Sequence, residues 1–355
     1  MIFKYLLDKL IEETKPQLNI KNCLHYKNRL KECNICTSIC PQKAIIVDKY
    51  SVTLNEDLCD TCGLCLGVCP TQAISLKDFE LDKIYREVLE KPFPIISCIK
   101  GSKQGTIIVP CLNSFHPEVL AALLILAREK NILINRQQCQ NCSNENNHFL
   151  STYKEVTTFS KRLGISINVS LIEGDTPLQT LQEKSFSRRE LFSYFKGETK
   201  ELSFKAVSQI SENFISEKNS IRDNNRKLLI KALKSINQED LQLLPNELPY
   251  LSNWQVQSCC DGCGFCQGVC PSSAWKVEKT PETIEVNHDA SRCSSCQLCY
   301  CLCPSKAIIP EAVKVKSLAT STLKYKLSST SCLQCGHRFF HGENQVPLCR
   351  RCRHH

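Results

Sequence analysis

The sequence has no long apolar run. The longest, Val119–Ala127, spans nine residues, and a helix needs about twenty to cross a bilayer. A secretory leader is not expected either, because Lys4, Asp8, Lys9, Glu12 and Glu13 interrupt the apolar N-terminal stretch. No nucleophile–base constellation and no phosphate-cradling glycine loop occurs. The sequence therefore offers no substrate site of its own. Cysteine is missing from 175–255 and crowded elsewhere, with 26 in 355 residues. A cysteine-rich chain without an export signal is expected to be cytoplasmic and to bind metal, not to form a disulfide scaffold.

The cysteines repeat a spacing. One stretch reads Cys260-x2-Cys263-x2-Cys266-x3-Cys270-Pro271, and a second reads Cys293-x2-Cys296-x2-Cys299-x3-Cys303-Pro304. Three thiolates within seven residues wrap one face of a cubane only if the chain curls tightly, which Gly262 and Gly264 permit. This segment resembles a dicluster bacterial ferredoxin, whose two motifs each hold a [4Fe–4S] cluster. In that family the fourth Cys ligates the other cluster. The resemblance implies one site of Cys260, Cys263, Cys266 and Cys303, and another of Cys293, Cys296, Cys299 and Cys270. Cys259 and Cys301 are left over and are expected to pack beside the clusters, with Trp275 and Tyr300 as packing groups.

An earlier pair of motifs carries the same resemblance. Cys59-x2-Cys62-x2-Cys65-x3-Cys69-Pro70 is regular. Cys33-x2-Cys36-x3-Cys40-Pro41 departs from the pattern, with Leu30 where the leading Cys belongs. Cys23 substitutes if 24–32 form an insertion loop; otherwise one cluster has three protein ligands. The implied sites are Cys23, Cys33, Cys36 with Cys69, and Cys59, Cys62, Cys65 with Cys40. All four motifs end in Cys-Pro-x2-Ala-apolar, an internal repeat of half a module. Before them, Ile2, Phe3, Leu6, Leu7, Leu10 and Ile11 keep a helical period.

From 92 to 174 the pattern changes. Apolar runs at 94–98 and 106–111 read as buried strands ending at Cys98 and Cys111. Helices at 117–130 and 149–163 alternate with strands at 131–134 and 165–171, with Cys139-x2-Cys142 after the third strand. This predicts a small α/β sheet with a site at its carboxyl edge. The stretch is similar to the delta subunit of methyl-viologen-reducing hydrogenase, which implies a [2Fe–2S] centre on Cys98, Cys111, Cys139 and Cys142. A zinc site, a redox dithiol and four ordinary buried cysteines remain alternatives. His116 and His148 show no ligand spacing and read as helix-end or surface residues.

Between 184 and 234, twelve Lys/Arg face six Asp/Glu in a helical pattern, read as a bridging segment with a solvated basic face. Pro245 and Pro249 lead into the next module. The tail carries Cys332-x2-Cys335, then thirteen residues, then Cys349-x2-Cys352. It resembles a zinc ribbon, which implies one Cys₄ zinc site on those residues. A rubredoxin-like iron site is the redox alternative.

The expected architecture is α+β. It comprises an N-terminal helix (1–19), a dicluster module (20–80), the α/β domain (92–174), a basic helical linker (175–250), a second dicluster module (251–312) and a zinc-ribbon-like tail (328–355). The formal charge of +9 would by itself suit acidic partners. Four anionic clusters would offset most of it, so neither nucleic acid nor a membrane span is expected. The expected function is that of a polyferredoxin relaying electrons through four [4Fe–4S] clusters, with the middle [2Fe–2S] and tail zinc sites beside them. Its partners would be a hydrogenase, a formate dehydrogenase or another oxidoreductase subunit. Two alternatives belong to other classes: an iron–sulfur redox- or oxygen-responsive regulator that binds nucleic acid, and a thiol–disulfide reductase using Cys139 and Cys142.

Overall fold

The structure is a computed structural model and describes residues 15–27, 33–49, 51–76, 79–101, 105–144, 146–174, 221–236, 242–243, 251–315, 318, 321–342 and 346–353. The helix expected over 1–13, most of the basic linker, Pro245 and Pro249 lie outside these residues. The fold mixes helices with several small sheets, and no described helix is long and apolar enough to cross a membrane. The chain divides into two compact units, 1–19 with 33–232, and 20–32 with 233–355.

In the first unit, β1 (Gln17–Leu18) pairs antiparallel with β4 (Ile74–Ser75), and β2 (Ile45–Val47) with β3 (Val52–Leu54). Between them lie two one-turn helices, α1 (Ile35–Ile39) and α2 (Leu64–Val68). Ile45, Leu66, Ile74 and Leu76 form their small core around Cys65. A four-stranded parallel sheet follows, in the order β6 (Ile107–Val109), β5 (Ile95–Cys98), β7 (Asn131–Asn135), β8 (Asn168–Ile172).

Three helices pack on this sheet unit: α3 (Leu81–Glu90), α4 (Pro117–Leu126) and α5 (His148–Arg162). Sequence reasoning missed α3, although Ile84, Tyr85, Val88 and Leu89 mark one apolar face. That face is buried, and the Tyr85 hydroxyl donates to the Val119 carbonyl at 2.6 Å. α4 is buried on every side from Glu118 to Ile125, which explains its nearly unbroken apolar sequence. His116 caps it, its Nδ1 accepting the Glu118 N–H at 3.3 Å, and His148 opens α5.

One further helix, α6 (Ile221–Lys234), keeps Lys227 and Lys234 on an exposed face as expected, but Arg226 departs from the reading of a solvated basic stretch. Arg226, Leu228, Leu229 and Ala232 are buried. Arg226 forms a two-pronged ion pair with Glu118 at the start of α4, its Nε donating to Oε2 at 3.0 Å and an outer nitrogen to Oε1.

The second unit contains a two-residue strand, β9 (Gln242–Leu243), where only helix was expected. It also holds β10 (Asn253–Val256), α7 (Phe265–Val269), β11 (Trp275–Lys279), β12 (Thr283–His288), α8 (Leu298–Leu302), β13 (Ile308–Glu311) and β14 (Val313–Lys314). β9 pairs with β14 and β10 with β13. A ten-residue strand, β15 (Thr322–Ser331), then runs antiparallel to β12 and on to β16 (Arg338–Gly342), giving the sheet order β11-β12-β15-β16. One continuous sheet thus joins the second cysteine repeat to the tail, which ends in the short helix α9 (Arg350–Arg353).

Candidate cluster and metal centres

Each Cys-Pro turn is built alike. The residue before the Ala adopts positive φ in all four: Lys43 (52°), Gln72 (49°), Ser273 (51°) and Lys306 (53°). Non-glycine residues enter this region at a cost of about 1–2 kcal/mol, so four repeats point to a geometric demand. The turn brings the Ala N–H back onto the cysteine sulfur: Ala44 to Cys40 at 3.4 Å, Ala73 to Cys69 at 3.2 Å and Ala274 to Cys270 at 3.3 Å. Such N–H···S donation stabilises a thiolate and is a recognised control on cluster potential.

Three of the four lone cysteines, Cys40, Cys270 and Cys303, lie beside the triplet of the other loop of their module, and Cys69 lies beside Cys33. Cys303 lines one cleft of about 350 Å³ with Cys260, Cys263 and Cys266. Burial first, then the charges of Cys260, Cys263 and Cys303, push the Cys266 thiol up to about 12. Cys293 is raised to about 11, by burial and then by its neighbours Cys270 and Cys296. In the first unit, Cys40 lines a cleft of about 330 Å³ with Cys59, Cys62 and Cys65, and the Cys33 thiol is raised by burial and by the nearby Cys69. Four crowded, largely desolvated thiolates repel one another unless a cationic core lies among them, and an iron–sulfur core is one. The donor sets fit such a group. No disulfide joins the described cysteines.

Two expectations need correction or restriction. Cys259 and Cys301 do not pack inside; both are exposed, and the Cys259 thiol donates to the Ser305 carbonyl at 3.4 Å. Their neighbours Cys260 and Cys303 face the site, so the residues one and two positions away are turned outward. Cys23 lies in the 20–32 segment counted with the second unit, whereas Cys33, Cys36 and Cys69 belong to the first.

Both tryptophans of the chain stand at one site. Trp254 and Trp275 are buried in a cluster with Cys293 and Cys299. The Trp275 indole lowers the Cys299 thiol against a much larger upward push from burial. Tyr300 stacks on Trp254 with ring centres 5.8 Å apart, yet its outer edge is exposed.

The middle four cysteines gather at the carboxyl edge of the parallel sheet. Cys98 ends β5, Cys111 follows β6, and Cys139 and Cys142 follow β7. They line one cleft of about 460 Å³ together with Lys100, Arg136 and Asn144. The Cys111 thiol rises to about 11, through burial and then through Cys98, Cys139 and Cys142. Between Cys59 and Cys62, the Asp60 carboxylate accepts from Lys100 Nζ at 2.8 Å and from Asn144 Nδ2 at 3.0 Å. Burial pushes Asp60 upward, but these donations outweigh it and hold the group at about 2. Sequence reasoning missed Asp60, since its partners lie 40 and 84 residues away.

The tail is different in scale. Sulfurs of Cys332, Cys335, Cys349 and Cys352 all lie within 4.8 Å of one another, and no His joins them. Tetrahedral metal–sulfur bonds of about 2.3 Å put sulfurs about 3.8 Å apart, and Cys335 and Cys349 are separated by 3.6 Å. Among the described residues, this is the one group of three or more metal-binding side chains tight enough for a single ion. The Cys349 N–H donates to Cys332 at 3.3 Å, and such backbone donation draws the Cys332 thiol down to about 6.

Residues 31–80 match the family model described as the LdpA Fe-S cluster-binding domain. The match covers the first cysteine repeat from Cys33 to Cys69 and begins beyond Cys23. This is an iron–sulfur protein. No curated protein matches the chain.

Proposed function

We propose that the protein is a polyferredoxin: a cytoplasmic electron relay with four [4Fe–4S] sites in two dicluster modules, a [2Fe–2S] site in the middle and zinc in the tail. It would serve as a subunit or partner of an anaerobic oxidoreductase such as a hydrogenase or formate dehydrogenase. The observation that carries this reading is the facing of Cys40, Cys270 and Cys303 with the triplet of the other loop, most completely for Cys303 with Cys260, Cys263 and Cys266. Bound clusters supply one-electron chemistry. The chain's own residues hold the thiolates in place, keep water from Cys65, Cys293 and Cys299, which are buried, and donate N–H groups to sulfur. A substrate pocket is not needed for this role.

Coulometric titration of the anaerobic full chain tests the reading. About four electrons per chain are expected from four cubanes, and about five with the middle site. Uptake of one electron or none would overturn it.

Zinc in the tail makes a separate prediction. Metal binding and folding of such a small segment are one equilibrium, so a strong chelator that strips the tail should speed amide exchange at Cys335–Gly342. Exchange in β12, held between β11 and β15, should stay slow. Uniform loss of protection across the sheet would contradict this.

A further inference from the structure

We propose that Asp60 is a positioning residue that clamps the middle four-cysteine site against the Cys40, Cys59, Cys62 and Cys65 site, making the two an exchange pair. This rests on the reading that the middle cysteines hold a cluster.

Three contacts within the first unit carry it. Asp60 sits inside the cluster loop, where its Oδ1 accepts the Cys62 N–H at 3.3 Å. Its other oxygen receives Lys100, two residues after Cys98, and Asn144, two residues after Cys142. One carboxylate therefore ties a loop of the first site to both arms of the second. The turn after Cys111 is pressed against α2 from the other side. A Cβ on Gly67 would come within 2.1 Å of the Asn113 carbonyl oxygen, so only glycine allows this approach. Asn113 in turn donates to the Asn144 carbonyl at 3.3 Å and accepts the Phe149 N–H at 2.8 Å.

The second module provides an internal control. Asp261 occupies the same place between Cys260 and Cys263 and accepts the Cys263 N–H at 3.1 Å. It receives no lysine or asparagine side chain among the described residues. The local turn therefore needs the aspartate, but the two extra donors belong to the docking. What passes between the sites is one electron. No bond forms or breaks, so the exchange falls with the separation of the two sites and depends also on the difference in their potentials.

The test uses the anaerobic full chain, partly reduced with dithionite, with EPR line shape and relaxation read beside iron content. In the wild type, the middle-site signal should be broadened by the neighbouring reduced site. Asp60→Asn and Lys100→Met should each weaken that broadening with iron content unchanged. Gly67→Ala should do so more strongly. Full iron content with no broadening in the wild type would overturn the proposal and leave the relay reading standing. Broadening that survives all three substitutions would overturn the clamp. Iron lost from the cubane in Asp60→Asn would show a ligation role in place of positioning. If Cys98→Ser/Cys111→Ser costs no iron, the middle centre itself falls, and the pair with it.

Discussion

Replacing Cys270 with Ala should brighten tryptophan emission, whereas replacing Cys303 with Ala should leave it close to the dim wild-type level. Each change removes one lone ligand, and each should cost about four irons if the cluster is lost. The difference lies in which site empties. The Trp254 indole reaches the Cys293 sulfur and the Trp275 indole the Cys299 sulfur, and cluster absorption quenches a nearby indole steeply with distance. Under crossed ligation, Cys270→Ala empties that site, and Cys303→Ala empties the one on Cys260, Cys263 and Cys266. If each lone cysteine served its own loop, the two variants would exchange their emission levels. Steady-state fluorescence with iron analysis on the same samples decides between them.

The second large effect concerns the ion pair under α4. Arg226→Ala leaves the Glu118 carboxylate buried, in a residue only 2% exposed, with its two-pronged partner gone. Removing one partner of a buried pair typically costs about 3–5 kcal/mol, because the remaining charge loses its counter-charge away from water. The double variant Glu118→Leu/Arg226→Met should recover most of the loss, since a well-packed apolar pair often replaces a buried ion pair without penalty. Denaturant unfolding of the anaerobic protein, followed by circular dichroism, measures both. A single-variant loss below about 1 kcal/mol, the scale of surface pairs, would contradict the burial argument.

Those two residues show where the sequence could be read and where it could not. Short-range signals were legible. β5 ends at Cys98 and β6 two residues before Cys111, where the apolar β-branched runs stop, and the Cys-Pro-x2-Ala ending marks four turns whose shared backbone form is visible in their φ angles. Long-range pairings were not. Arg226 sits among lysines and arginines that read as solvated, and only the fold brings it to Glu118, 108 residues away. β15 was missed although its first half is legible: Leu323, Tyr325 and Leu327 alternate with Lys324 and Lys326, the pattern of a half-buried strand. Its second half, Ser328–Ser331, carries no apolar residue, and its place is set by pairing with β12 and by the close approach of Leu327 to Gly262. Within the candidate site, spacing located every cysteine of the repeats. It did not reveal that Cys259 and Cys301 are exposed: Cys259 precedes Cys260 in a turn, and Cys301 lies on the far side of α8 from the buried Cys299.

The account stands on the cysteine sets being filled by clusters. Iron, acid-labile sulfide and zinc per chain, measured on protein purified without oxygen, test that most directly. The account predicts about sixteen to eighteen irons with near-equal sulfide and about one zinc. About eight irons would mean that only one of the two modules carries clusters, and the relay through both would be contradicted.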